Sequence, residues 1–107
     1  QGMSDKMRMR VTLLEGDVAE VKVLIFHPME TGLRKDPATG ELVPRHFIRT
    51  VVARHNGKPV LECGWSRAVS RNPFLHFRVR GASAGDRIVI SWEDNRGERE
   101  TMESAVG

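Results

Sequence analysis

Four histidines, one cysteine and five methionines are the side chains of this chain best suited to metal or nucleophile chemistry. The densest stretch is His27-Pro28-Met29-Glu30-Thr31-Gly32-Leu33-Arg34-Lys35-Asp36, which sets an imidazole, a thioether, carboxylates and a basic pair close together. His27, His46, His55 and His76, joined by Met29 or Cys63, would supply the soft donors of a copper-type centre. The spacing opposes that reading. A blue-copper site wants Cys, His and Met close together near the end of the chain, whereas Cys63 runs into Gly64-Trp65-Ser66, the next histidine is His76, and Met102 is distant from both. His55 adjoins Asn56-Gly57 and reads as an exposed residue at a hairpin end. The histidines are therefore expected on the surface and at a turn, with no metal and no cofactor. A metal-binding, copper-type β-sandwich is the alternative to the function reached below.

Nucleophilic catalysis by Cys63 would need a histidine and an acid beside it. Cys63 instead lies in the strand-like run Val60-Leu61-Glu62-Cys63, where a free cysteine behaves as a small hydrophobe. Glu30 and Asp36 form a conceivable acid pair, but loop carboxylates are usually solvated. No glycine-rich loop leads into a helix, so a phosphate cradle is missing. No catalytic residue is expected. Arg8, Arg10, Arg78 and Arg80 occupy alternate strand positions and suggest basic stripes. Glu20, Glu62 and Glu93 interrupt that pattern on other strands, and exposed aromatic platforms for bases are not evident, so nucleic acid is not the expected partner.

The totals set the frame. The chain has 107 residues, 39% hydrophobic and 29% charged, which is globular composition of one-domain size. Its net charge of +3 and pI near 9.6 favour an acidic partner over a basic one without reaching a nucleic-acid footprint. A single cysteine excludes an internal disulfide and any CxxC motif. No apolar run approaches the roughly 18 residues of a membrane helix. Gln1-Gly2 reads as a remnant of expression, Met3 as the natural start, and residues 3–107 as a single domain.

The elements that must position these residues have a period of two. Met7, Met9, Val11 and Leu13 alternate with Arg8, Arg10 and Thr12; Val21, Val23 and Ile25 with Glu20, Lys22, Leu24 and Phe26; Leu75, Phe77 and Val79 with His76, Arg78 and Arg80; Ile88, Ile90 and Trp92 with Val89, Ser91 and Glu93. Each run predicts a half-buried strand. Further strands are expected over 47–55, 59–65 and 98–106, with hairpin tips at Asn56-Gly57 and Asn95-Arg96-Gly97. About seven short strands and no helical period predict an all-β, immunoglobulin-like antiparallel β-sandwich.

The segment from Pro28 to His46 is too long for a simple connection. It predicts a small hairpin of its own, with Leu33-Arg34-Lys35 facing Glu41-Leu42-Val43 around the tip Asp36–Gly40. Leu24 and Phe26 lie on the solvent phase of their strand, and Met29, Leu33, Leu42, Val43, Phe47 and Ile48 follow. Either a partner or the folded-back loop must cover so much apolar surface. The expected partner-binding set is Leu24, Phe26, Met29, Leu33, Arg34, Lys35, Phe47 and Ile48.

The stretches 27–36, Leu42-Val43-Pro44-Arg45-His46-Phe47-Ile48, His55-Asn56-Gly57-Lys58, Asn72 to Gly81 and Ser91 to Gly97 resemble the SoxZ family, and the resemblance extends from about Met7 to Val106. It implies an immunoglobulin-like sandwich without catalytic residues. The family pairs with SoxY, whose flexible Gly-Gly-Cys-Gly-Gly arm carries sulfur intermediates covalently during thiosulfate oxidation. The tail here, Glu103-Ser104-Ala105-Val106-Gly107, holds no such arm. The resemblance further implies docking of other Sox pathway enzymes. It places the complex in the periplasm, reached by export together with the Y subunit, where the sequence alone would suggest the cytoplasm. Stripped of its partner, the chain has apolar surface compatible with a homodimer, and the sequence leaves its oligomeric state open.

Overall fold

The structure, a computed structural model, describes residues 2–3, 6–65 and 69–107. Its strands are β1 (Gly2–Met3), β2 (Met7–Leu14), β3 (Val18–Ile25), β4 (Ile48–His55), β5 (Lys58–Gly64), β6 (Phe74–Arg80), β7 (Arg87–Asp94) and β8 (Arg99–Ala105). Seven of them are long, and no helix occurs among the described residues. They form two antiparallel sheets in the orders β1-β2-β3-β6 and β5-β4-β7-β8. The fold is the open β-sandwich that the period-two runs predict.

Period two decides which residues meet. Val11 pairs with Val21 and Val21 with Phe77; Met9 pairs with Val23 and Val23 with Leu75. These side chains face Ile88, Ile90, Trp92, Val51 and Ala53 of the second sheet, and Val21, Val23, Ile25, Ile48, Val51, Ile88 and Ile90 are fully buried. Each such side chain contributes roughly 1.5–3 kcal/mol on leaving water. At the β4–β5 tip, Asn56 (φ 49°) and Gly57 (φ 85°) are both left-handed, as a two-residue primed turn requires.

The segment between β3 and β4 folds into a two-runged arm. At its base Glu30 and His46 exchange backbone hydrogen bonds of 2.6 and 3.1 Å. Further out Lys35 pairs with Leu42, Val43 N donates to Arg34 O (2.8 Å) and Asp36 N to Glu41 O (2.8 Å). The Asp36 carboxylate accepts from Ala38 N at 2.8 Å and closes the tip. Gly32 (φ 85°) lies directly against the Arg45 side chain of the returning strand, so a Cβ there would collide with it.

The molecule is elongated, 54 × 20 × 19 Å, with a radius of gyration of 15.7 Å against about 13 Å for a compact domain of this length. A large share of its strands is consequently near the surface.

Candidate functional site

Where the arm joins the sandwich, three chain segments converge on one carboxylate. Asp94, the last residue of β7, has 2% of its surface exposed. Its Oδ2 accepts from His27 Nε2 (3.2 Å) and His46 Nε2 (2.8 Å). Its Oδ1 accepts from the backbone N–H groups of Arg96 and Glu98, each at 2.9 Å. Four donors saturate the buried carboxylate. Burial alone would push the Asp94 carboxyl up, but the hydrogen bonds from His27, His46 and the two backbone amides outweigh it and hold the group at about 2.

His27 arrives on the inward phase of β3, two residues beyond buried Ile25, and is 3% exposed. Its ring meets His46 edge-on at a centroid distance of 4.4 Å and Trp92 at 5.4 Å. Its Nδ1 accepts the backbone N–H of Met29 at 3.1 Å. In the neutral ring the proton therefore lies on Nε2, aimed at Asp94. Burial, first, and the nearby His46 hold the His27 pKa below its ordinary 6.5, although Asp94 pulls the other way.

Neighbouring side chains tie the same junction. Asn95 accepts from Phe47 N at 2.8 Å through Oδ1 and donates to Arg45 O at 3.0 Å through Nδ2. Asn72 accepts from His27 N and donates its own N–H to His27 O, both at 3.0 Å. Buried Glu30 holds Arg34 in a forked pair with contacts of 2.8 to 3.2 Å. The Arg34 hydrogen bond, above all, keeps the Glu30 carboxyl below its usual range.

As chemistry, the cluster offers two imidazoles and a carboxylate whose ligand atoms lie within 4.8 Å of one another, with Glu98 Oε2 3.5 Å from His46 Nε2. Those donor types suit zinc or copper. The hydrogen bonds oppose metal binding. A histidine that ligates through Nε2 ordinarily donates its Nδ1 proton to an orienting acceptor, whereas His27 Nδ1 is itself an acceptor. Ligation would then require an imidazolate. The arrangement is that of a lock that holds the base of the arm to the β7–β8 turn.

The other candidates from the sequence are dispersed. His55 is half-buried at the opposite end of β4, paired with Asp86 at 2.8 Å, rather than exposed. His76 lies on an outer face beside Glu20. The expectation of surface histidines fails most clearly at His27 and His46, which are drawn inward by Asp94. Cys63 stands opposite Val51 in the β4–β5 ladder and packs half-buried against the core. Glu30 and Asp36 are not an acid pair, since one binds Arg34 and the other closes the arm tip.

The expected partner-binding set divides in three. Met29 (5% exposed) and Ile48 (0%) are core residues, which corrects their assignment to an exposed surface; Met29 Sδ even accepts from Ile48 N at 3.4 Å. Phe47 is half-buried against the same core. Leu24 and Phe26 are half-buried on the outer face of the first sheet, with the Arg8 guanidinium 5.6 Å from the Phe26 ring centroid. Leu33, Arg34 and Lys35 remain exposed on the arm, where Leu33 (71% exposed) is joined by Leu42 (57%).

A comparison with protein-family models matches residues 7–105 to the family described as sulphur oxidation protein SoxZ. The chain belongs to the SoxZ family. It is accordingly a component of a Sox sulfur-oxidation system. No curated protein matches it significantly.

Within this SoxZ-family chain, sequence reasoning missed Asp94 as the hub, and Asn72 and Asn95 as clamps. One signal was available. The inward phase Ile88, Ile90, Trp92 continues to Asp94, just as Val21, Val23, Ile25 continues to His27.

Proposed function

We propose that this chain is the non-catalytic Z subunit of a SoxYZ-type carrier complex. In that reading it pairs with a SoxY-type subunit, whose cysteine arm holds sulfur intermediates during thiosulfate oxidation, and the pair works in the periplasm after joint export. The observation that carries the reading is the family match over residues 7–105. The chemistry of the chain supports a passive role in catalysis, because the lone thiol faces the core and the histidine pair is engaged by Asp94.

The arm supports the pairing. Leu33 and Leu42 are large apolar side chains left in water at the end of a tethered, hydrogen-bonded element. Such residues are stabilised when a partner covers them. Lys35, with no ion pair among the described residues, is placed to orient that partner or a visiting pathway enzyme. Arg34 is less available for docking, since Glu30 holds it.

Co-expression with a SoxY-type subunit, followed by size-exclusion chromatography with light scattering, tests the proposal. A stable one-to-one complex is expected. Two separate species would refute the carrier-subunit reading.

A further inference from the structure

The two outer faces of the sandwich carry their charge differently. On the outer face of the β1-β2-β3-β6 sheet, the registers align Thr12–Glu20–Arg78, Arg10–Lys22–His76 and Arg8–Leu24–Phe74, with Arg80 beside Val18 at one end. Among the described residues five cations, Arg8, Arg10, Lys22, Arg78 and Arg80, share that face with one carboxylate, Glu20. The outer face of the β5-β4-β7-β8 sheet is more nearly balanced: Arg54, Arg87 and Arg99 stand against Glu62, Glu93 and Glu103, with exposed Arg49 at the β4 bulge beside them. There the charges neutralise each other internally through Arg87–Glu103 and Arg99–Glu93.

On the first face Glu20 serves Lys22, His76 and Arg78. Arg8, Arg10 and Arg80 have no carboxylate partner among the described residues. With strands about 4.8 Å apart and same-face residues about 6.6 Å apart, the five cations fall within roughly 10 × 20 Å. Neighbouring positions on the face are then separated by less than the Debye length of about 8 Å at physiological salt, so their charges act together toward a ligand.

We infer that this face is a docking surface for a protein that presents clustered carboxylates. Charge complementarity supplies the first argument, because among the described residues one carboxylate, Glu20, stands against five cations on the face. The composition of the face selects protein among the anions. At one end Leu24 lies beside Arg8 with exposed Phe74 (59%) on the next strand, and a mixture of arginine with aromatic and aliphatic groups is the composition of a protein interface. Successive base stacking needs a series of open rings, whereas the Phe26 ring is half-buried with Arg8 over it. The inference goes beyond pairing with a SoxY-type subunit and uses no residue of the arm.

The test is a heteronuclear NMR titration of the isotopically labelled full chain with three probes in parallel: a glutamate-rich peptide containing leucine, a random-sequence DNA duplex, and phosphatidylglycerol vesicles. Saturable shifts of β2, β3 and β6 amides with the peptide are expected. The double variant Arg10→Glu/Arg80→Glu should weaken peptide binding by at least about tenfold, and Arg87→Glu/Arg99→Glu on the more nearly balanced face by less than about twofold. Arg10→Gln/Arg80→Gln, with retained spectral dispersion, guards against a folding artefact and should give an intermediate loss. Absence of saturable shifts, shifts confined to residues 30–46, equal losses in both double variants, or tighter binding of the duplex or the vesicles would each overturn the inference.

Discussion

At the scale of single residues, Asp94 is the side chain on which most depends. Removing it leaves the His27 Nε2–H and two backbone N–H groups without acceptors in a buried place. Asp94→Ala is expected to destabilise the fold by about 3 kcal/mol, in the range for breaking a buried charged network. Glu62→Ala, at an exposed position, should stay within about 0.5 kcal/mol. Urea denaturation of both variants separates the two, and equal effects would show that the lock contributes nothing. The same cluster sets the acid response. His27 is held below its ordinary pKa, so folding favours the neutral ring. Its contribution is complete above pH 6.5 and falls as the pH drops below that value, because the unfolded chain then binds the proton more readily. Asp94 acts lower: its carboxyl falls from 3.8 to about 2 on folding, so its contribution is present above pH 4 and lost between about 4 and 2. Between pH 7 and 5 the thermal midpoint should decline, and His27→Gln, which cannot titrate, should decline less. Parallel profiles for the two proteins would remove His27 as the cause.

At the scale of elements, the arm is a hairpin whose base is rigid and whose outer part exposes Leu33 and Leu42 beside charged residues. Rigidity comes from the histidine–aspartate lock, the Asn95 clamp and the Glu30–Arg34 fork. Gly32 permits the close approach of Arg45 at a left-handed φ. Gly32→Ala is expected to cost about 1–2 kcal/mol through that φ alone. Faster hydrogen exchange in residues 30–46, with β2, β3 and β7 unchanged, is the expected sign of a local effect; uniform acceleration would contradict it. The outer part has the opposite behaviour. Leu33→Asp with Leu42→Asp should leave stability within about 0.5 kcal/mol, since both side chains are already in water. It should abolish co-purification with a SoxY-type subunit. Retained complex would move the pairing surface away from the arm.

At the scale of the whole molecule, an elongated sandwich presents one strongly cationic face, one more nearly balanced face and an arm that exposes Leu33 and Leu42. The isolated chain has no partner to cover Leu33 and Leu42, and a second copy is the nearest substitute. Light scattering should therefore show a concentration-dependent dimer for the wild-type chain and a monomer for the Leu33→Asp/Leu42→Asp variant. A monomer at all concentrations would mean that the arm alone does not suffice for association.

Much of this architecture was legible in the amino-acid order, for a physical reason. Strand identity and face depend on alternation between neighbours in the chain, so Val21, Val23 and Ile25 or Ile88, Ile90 and Trp92 declare their own inward phase. The Asn56-Gly57 turn and the arm hairpin around Asp36 to Gly40 are likewise local, because they follow from turn chemistry within a few residues. The family resemblance rested on the same contiguous stretches. Tertiary structure alone decided what the distant residues do to each other. His27 and Asp94 stand 67 positions apart and His46 and Asp94 48 apart, so nothing local shows that one carboxylate will hold both rings. Strand order, which no single strand encodes, gathered Arg8, Arg10, Lys22, Arg78 and Arg80 on one face and left the charges of the opposite face more nearly balanced. The burial of Met29 and Ile48 was decided in the same way, by the shared hydrophobic core that residues from both sheets build around them.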